Sequence, residues 1–98
     1  MIRHIVLFRW KDGVTSEDVD RVQAALKGLP DLIPGVARFE LGPDLGLIDG
    51  TYDLALVAEF ADEAAYRTYA THPDHLAVSA TFVTPITADL ARVQHHID

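Results

Sequence analysis

The chain has 98 residues, enough for one domain; at this size only about two thirds of the unfolded surface is buried on folding, so a partner adds much. Fifteen acidic against eight basic side chains give a net charge of −7, which argues against nucleic acid or an anionic membrane as a partner. Cysteine is absent, so disulfides and thiolate chemistry are excluded. No apolar run approaches the ~20 residues that span a bilayer. Met1 to Ile5 leads straight into a strand pattern without a leader-like apolar stretch, and a cytoplasmic location is the expectation.

Ile2 to Trp10 is rich in β-branched and aromatic residues and ends at the turn Lys11-Asp12-Gly13, so it reads as a strand. Thr15, with Asp18 three residues on, marks a helix start of the capping-box type. Val19, Val22, Leu26, Leu29 and Ile33 follow as one apolar helical stripe. Pro30 should end the regular helix near Leu29, leaving an irregular turn from Asp31 to Gly35. Val36 to Leu41 reads as a second strand, and Gly42 to Gly50 as a polar, glycine-containing connection. Tyr52 to Phe60 is a third strand. Asp62 caps a helix that must stop at His72, because the residue before Pro73 is pushed out of helical geometry. Pro73 opens a short helix with Leu76, Ala80 and Val83 on one face, Pro85 closes it, and Ala88 to Ile97 is a fourth strand. His95 and His96, adjacent on it, face opposite ways. The order βαββαβ predicts an α+β, ferredoxin-like domain over residues 1–98, with an antiparallel sheet.

Alternation adds a quaternary expectation. Strand one carries Val6, Phe8 and Trp10 on one side and Ile5 and Leu7 on the other. The third strand carries Leu54, Leu56 and Phe60 on one side and Ala55 and Val57 on the other. The second strand alternates Ala37, Phe39 and Leu41 with Arg38 and Glu40, and the fourth includes Arg92 and Gln94, as edge strands do. Two helices cover one face of such a sheet, so central strands apolar on both faces call for a second cover. A homodimer through the sheet face, with Ile5, Leu7, Ala55 and Val57 in contact, is the simplest one.

The segment His4-Ile5-Val6-Leu7-Phe8-Arg9-Trp10-Lys11 resembles the opening strand of the stress-responsive A/B barrel (Dabb) family. Tyr52 to Phe60 with Asp62-Glu63-Ala64-Ala65-Tyr66 resembles its third strand and second helix. Tyr69-Ala70-Thr71-His72-Pro73-Asp74-His75 resembles its signature, a tyrosine shortly before His-Pro-x-His. The resemblance implies a single Dabb-like domain forming a dimeric α+β barrel. It implies less about activity: most bacterial members have no established reaction, while some plant and fungal relatives are polyketide cyclases or related lyases. Those cyclases carry a tyrosine where this chain has Leu26 and a histidine where it has Leu54.

Tyr69 and His75 flank the helix–proline–helix junction, where the break lets both point toward one spot. Histidine, with its ordinary pKa of ~6.5, suits proton abstraction near neutrality. By the resemblance, His75 is the expected base and Tyr69 its orienting or hydrogen-bonding partner; packing of Tyr69 in the core with a half-buried His75 is the plain structural alternative. His4, Val6, Phe8, Leu54 and Leu56 would line a mostly apolar pocket beneath His75, joined by Leu26 and His72, although His72 suits a cap for the Pro73 helix better than a ligand contact and His4 equally suits a core histidine. Such a pocket is the usual form of a small-molecule site. His72, Asp74 and His75 carry ligand atoms but lack a zinc-type spacing, so no metal and no cofactor are expected. Three functions follow: proton-transfer chemistry of the cyclase or lyase kind on a small apolar or carbonyl-containing ligand; ligand holding without conversion; and, by analogy with neighbouring dimeric-barrel families, a monooxygenase or haem-degrading enzyme with His4, His72 or His75 as axial ligand.

Overall fold

A computed structural model describes residues 1–98. The chain runs β1 (Ile2–Trp10), α1 (Ser16–Lys27), α2 (Leu29–Leu32), β2 (Val36–Pro43), β3 (Leu54–Phe60), α3 (Glu63–Thr71), α4 (Pro73–Val78) and β4 (Thr87–His96). The sheet order is β2-β3-β1-β4, all neighbours antiparallel. This is the ferredoxin-like arrangement, with β1 and β3 central.

Local chemistry fixes the helix starts. The Thr15 hydroxyl accepts from the Asp18 amide at 3.1 Å, and the Asp18 carboxylate accepts from the Thr15 amide at 3.2 Å. Both halves of the box therefore form with aspartate in place of the longer glutamate. Asp62 caps α3 by accepting from the Ala65 amide at 2.9 Å.

Pro30 does not end the first helix. That helix stops at Lys27, and Pro30 sits in the first turn of α2, where a missing N–H costs nothing. Gly35, at φ +94°, turns the chain into β2 in a left-handed conformation that favours glycine.

From α4 onward the sequence pattern misleads. Leu76 is 54% exposed and Ala80 is exposed; the inward side chains are His75, Val78, Ser79 and Val83. Past Val78 the pitch also changes: Ser79–Val83 widens into a π-type turn, its Ser79 carbonyl accepting from the Thr84 amide, and Thr84–Ile86 tightens to a 3₁₀ turn that contains Pro85. A single 3.6-residue period cannot describe that segment. A bulge between Val36 and Arg38 likewise leaves Ala37 exposed rather than on the Phe39 side.

One face of the sheet packs on the helices. Val6, Phe8, Leu54, Leu56, Ala58 and Phe60 from the strands meet Val22, Leu26, Leu29, Tyr69 and Val83. Each such burial is worth roughly 1.5–3 kcal/mol for a large apolar side chain. On the other face Ile5, Leu7, Ala55 and Val57 are only half-buried, Ala91 and Val93 lie beside them on β4, and no element of the chain lies over them. Glu59, 8% exposed, closes one end of that face between Arg3 (3.0 Å) and Arg38 (3.3 Å). The connection read as polar is not uniformly so. Leu45, Leu47 and Ile48 are largely exposed and share a groove with Gly42 and Ala55, on the same open side.

Candidate functional site

A cavity of about 270 Å³ lies between the helix-facing side of the sheet and the α3–α4 segment. Residues of β1 (His4, Val6, Phe8), β3 (Leu56) and α1 (Leu26) form much of its wall. Tyr66, Tyr69, Ala70, His75, Ser79 and Val83 come from the helical side, and Leu90 and Arg92 from β4. Seven of the nine residues expected here converge. The other two do not line it. Leu54, 2% exposed, is buried where it pairs with Phe8 and Pro43, at the far end of the strand. His72 turns away, its Nδ1 accepting from the Asp74 amide at 3.1 Å, and so caps α4.

His75 owes its position to the proline junction. His72 is extended, at φ −64° and ψ 137°, as a residue before proline must be, and α4 restarts at Pro73 with His75 in its first turn. The ring Nδ1 of His75 lies 3.1 Å from the Ala70 carbonyl oxygen. A carbonyl only accepts, so Nδ1 carries the proton and Nε2 keeps its lone pair. Burial pushes the His75 pKa down; the Ala70 carbonyl opposes this, while Arg92 and His72 add to it. His75 is therefore a neutral imidazole near pH 7, with a free base nitrogen.

Tyr69 does not orient His75 through a hydrogen bond. The two rings pack at 4.5 Å between centroids with an interplanar angle of 46°, and the Ala70 carbonyl does the orienting. The Tyr69 hydroxyl makes no hydrogen bond within the chain, yet no buried side-chain polar atom is left unpaired, so this hydroxyl opens to the cavity. Burial raises its pKa above the ordinary tyrosine value, assisted by Tyr66. It is a hydrogen-bond donor that stays protonated.

His4 is 6% exposed. Its Nδ1 lies 2.8 Å from the side-chain nitrogen of Gln94; the amide donates, which leaves the His4 proton on Nε2. Burial, then Arg92 and His75, lower its pKa from 6.5 to about 4. Its ring lies 5.1 Å from that of Tyr66 and 6.5 Å from that of Tyr69.

Sequence reading missed Tyr66, Gln94 and Arg92. The signal for the last two was present: β4 alternation places Leu90, Arg92 and Gln94 opposite Phe8, Val6 and His4, on the helix side, where an edge strand has no need of charge. His72, Asp74 and His75 do not come together as a set of three ligands, and no other group of three ligating side chains does.

Fold and site together define a ferredoxin-like α+β domain with a small, half-apolar cavity under its helices. The model of the Stress responsive A/B Barrel Domain matches residues 2–95, and the chain belongs to that family. An uncharacterized protein of Streptomyces coelicolor is 34% identical over 95 residues, covering 91% of this chain and 97% of its own. A dimeric ferredoxin-like protein of unknown function from Thermobifida fusca is 46% identical, with a TM-score of 0.90 over 98% of this chain and 90% of that one. The hydroxynitrile lyase of Passiflora edulis shares the fold, with a TM-score of 0.87 at 22% identity over 99% of this chain and 93% of that one. No helix is long and apolar enough to cross a membrane.

Proposed function

We propose that the protein is a homodimer whose cavity takes a small, largely apolar, carbonyl-containing ligand and moves a proton on it, with His75 as the base. The observation that carries this is the Nδ1 contact of His75 with the Ala70 carbonyl, which assigns the proton to Nδ1 and leaves Nε2 without a partner in the chain. His75 lines the cavity together with Tyr69, whose hydroxyl is also unpaired. In the step this supports, Nε2 takes a proton from the carbon next to the carbonyl. The enolate oxygen accepts a hydrogen bond from Tyr69, and ring closure onto a second carbonyl gives an alkoxide that takes the proton back from His75. At about 270 Å³ the cavity sits near the lower end of small-ligand sites, roughly 300–1,000 Å³, which suits a single-ring ligand better than a macrocycle such as haem.

Support for the dimer comes from the uncovered apolar face, from the exposed Leu45, Leu47 and Ile48 on its side, and from the Thermobifida fusca structure, described as dimeric. A second reading, holding a ligand without converting it, is favoured by Leu26 in the cavity wall, where the cyclases of the family place a tyrosine.

Deuterium exchange at the methyl group of acetophenone in D₂O, followed by NMR, separates the two. Catalysed exchange that disappears in His75→Ala, with fold and oligomeric state unchanged, supports proton transfer. Binding of acetophenone without exchange supports the holding role. Native mass spectrometry of the same samples reports the dimer.

A further inference from the structure

The chain has six arginines. Arg3, Arg21, Arg38 and Arg67 each pair with a carboxylate, and Arg9 lies 4.2 Å over the ring of Tyr52. Neither Arg9 nor Arg92 has an ion pair or a side-chain hydrogen bond within the chain, and of the two only Arg92 also lacks an aromatic partner, although the chain carries fifteen acidic side chains. It is exposed but lies on the helix side of β4, opposite Val6, and it lines the cavity. No aspartate or glutamate does.

The other polar groups of the wall are mainly donors. Tyr66, Tyr69 and Ser79 offer hydroxyls and His4 offers Nε2–H; Val6, Phe8, Leu26, Leu56, Val83 and Leu90 supply the apolar remainder. A guanidinium on the apolar side of an edge strand, with no internal counter-charge, is left for a group from outside the chain. Its planar fork matches the two oxygens of a carboxylate.

Resting on the reading of this cavity as a ligand site, we propose that it selects a monoanionic ligand, a carboxylate on an apolar body, with Arg92 binding the carboxylate at the open side and the apolar body packed toward Leu26 and Leu56. Neutralising Arg92 also relieves its effect on His4 and His75, both of which it holds down. Ligand charge and base strength are thereby linked.

The test uses the full chain with benzoate and its neutral isostere benzamide as probes, followed by shifts of the His4, His75 and Tyr69 ring resonances, so that binding elsewhere is not counted. Benzoate should bind about tenfold or more tightly than benzamide, the scale of a charge-assisted pair, and should move the His75 titration midpoint upward. Arg92→Gln should remove the preference and the upward shift; Arg92→Lys should keep part of both. Arg92 is exposed, so both variants are expected to fold, and unchanged backbone spectra verify this. Equal binding of the two probes to the wild type, or a preference that survives Arg92→Gln, overturns charge selection while leaving the ligand site standing. If neither probe perturbs the site at millimolar concentration, the charge proposal and the ligand-site reading fall together.

Discussion

His4 makes the stability of this protein dependent on pH in a way that can be isolated. In the unfolded chain the imidazole titrates near its ordinary 6.5; in the fold, burial and the charge of Arg92 bring it to about 4. A histidine whose folded pKa lies below its unfolded one binds fewer protons when folded, so its contribution is neutral above the unfolded value and becomes a penalty as pH falls through it. Between the two values each pH step is worth about 1.4 kcal/mol, which gives a penalty of about 2 kcal/mol at pH ~5 and at most about 3 kcal/mol below pH ~4.

The carboxylates titrate over part of the same range, and the comparison must remove them. His4→Gln keeps a polar side chain beside Gln94 but cannot protonate. Urea unfolding of both proteins at pH ~8 and pH ~5, at one fixed protein concentration because the proposed dimer would unfold by mass action, gives two differences. Wild type should lose about 2 kcal/mol more than His4→Gln over that interval, a shift of roughly 1.5 M in midpoint for a domain this size. Equal losses would refute the placement of a neutral, buried His4, and direct NMR titration of its ring would then read near 6.5.

Three further outcomes are expected. Val57→Asp sets a carboxylate in the centre of the open sheet face, and burying it unpaired costs several kcal/mol; sedimentation velocity should show the dimer weakened at least about 100-fold, with the monomer fold retained. Tyr69→Phe removes a hydroxyl without a partner in the chain, so stability should stay within about 0.5 kcal/mol while exchange on acetophenone falls about tenfold or more. Leu29→Ala empties a fully buried site and should cost about 2–5 kcal/mol in urea unfolding without altering probe binding.

Where sequence and structure agree, the cause is periodicity or a local hydrogen-bonding rule acting alone. Strand alternation in β1 and β3 sorted Val6, Phe8, Leu54 and Leu56 from Ile5, Leu7, Ala55 and Val57, and the order βαββαβ carried the sheet topology. The pre-proline restriction placed the break at His72, and with it His75. Where they part, two effects compete. The segment after α4 passes through π and 3₁₀ turns within eight residues, so no fixed period could find its inward face. The hydrogen bond to the Ala70 carbonyl, rather than one from Tyr69, orients His75; a backbone acceptor leaves no trace in residue identity. Arg92 was visible only as polarity on an edge strand, and its meaning required the pairing with Val6.

The two-residue alternation of β4 also governs which changes the chain can survive. On successive residues this strand points Leu90, Arg92 and Gln94 into the cavity side and Ala91 and Val93 onto the open face. Deleting a single residue near Thr87 would exchange those sets, turning the guanidinium and the amide outward and bringing Val93 opposite Val6 and His95 opposite His4. One such slip would strip the cavity of its charge, leave His4 without its amide partner and plant a cation on the face proposed for the second copy. Insertions among the exposed residues 44–51 meet no such frame. Length variation among family members should therefore gather in that loop, and β4 should keep its length even where its residues change.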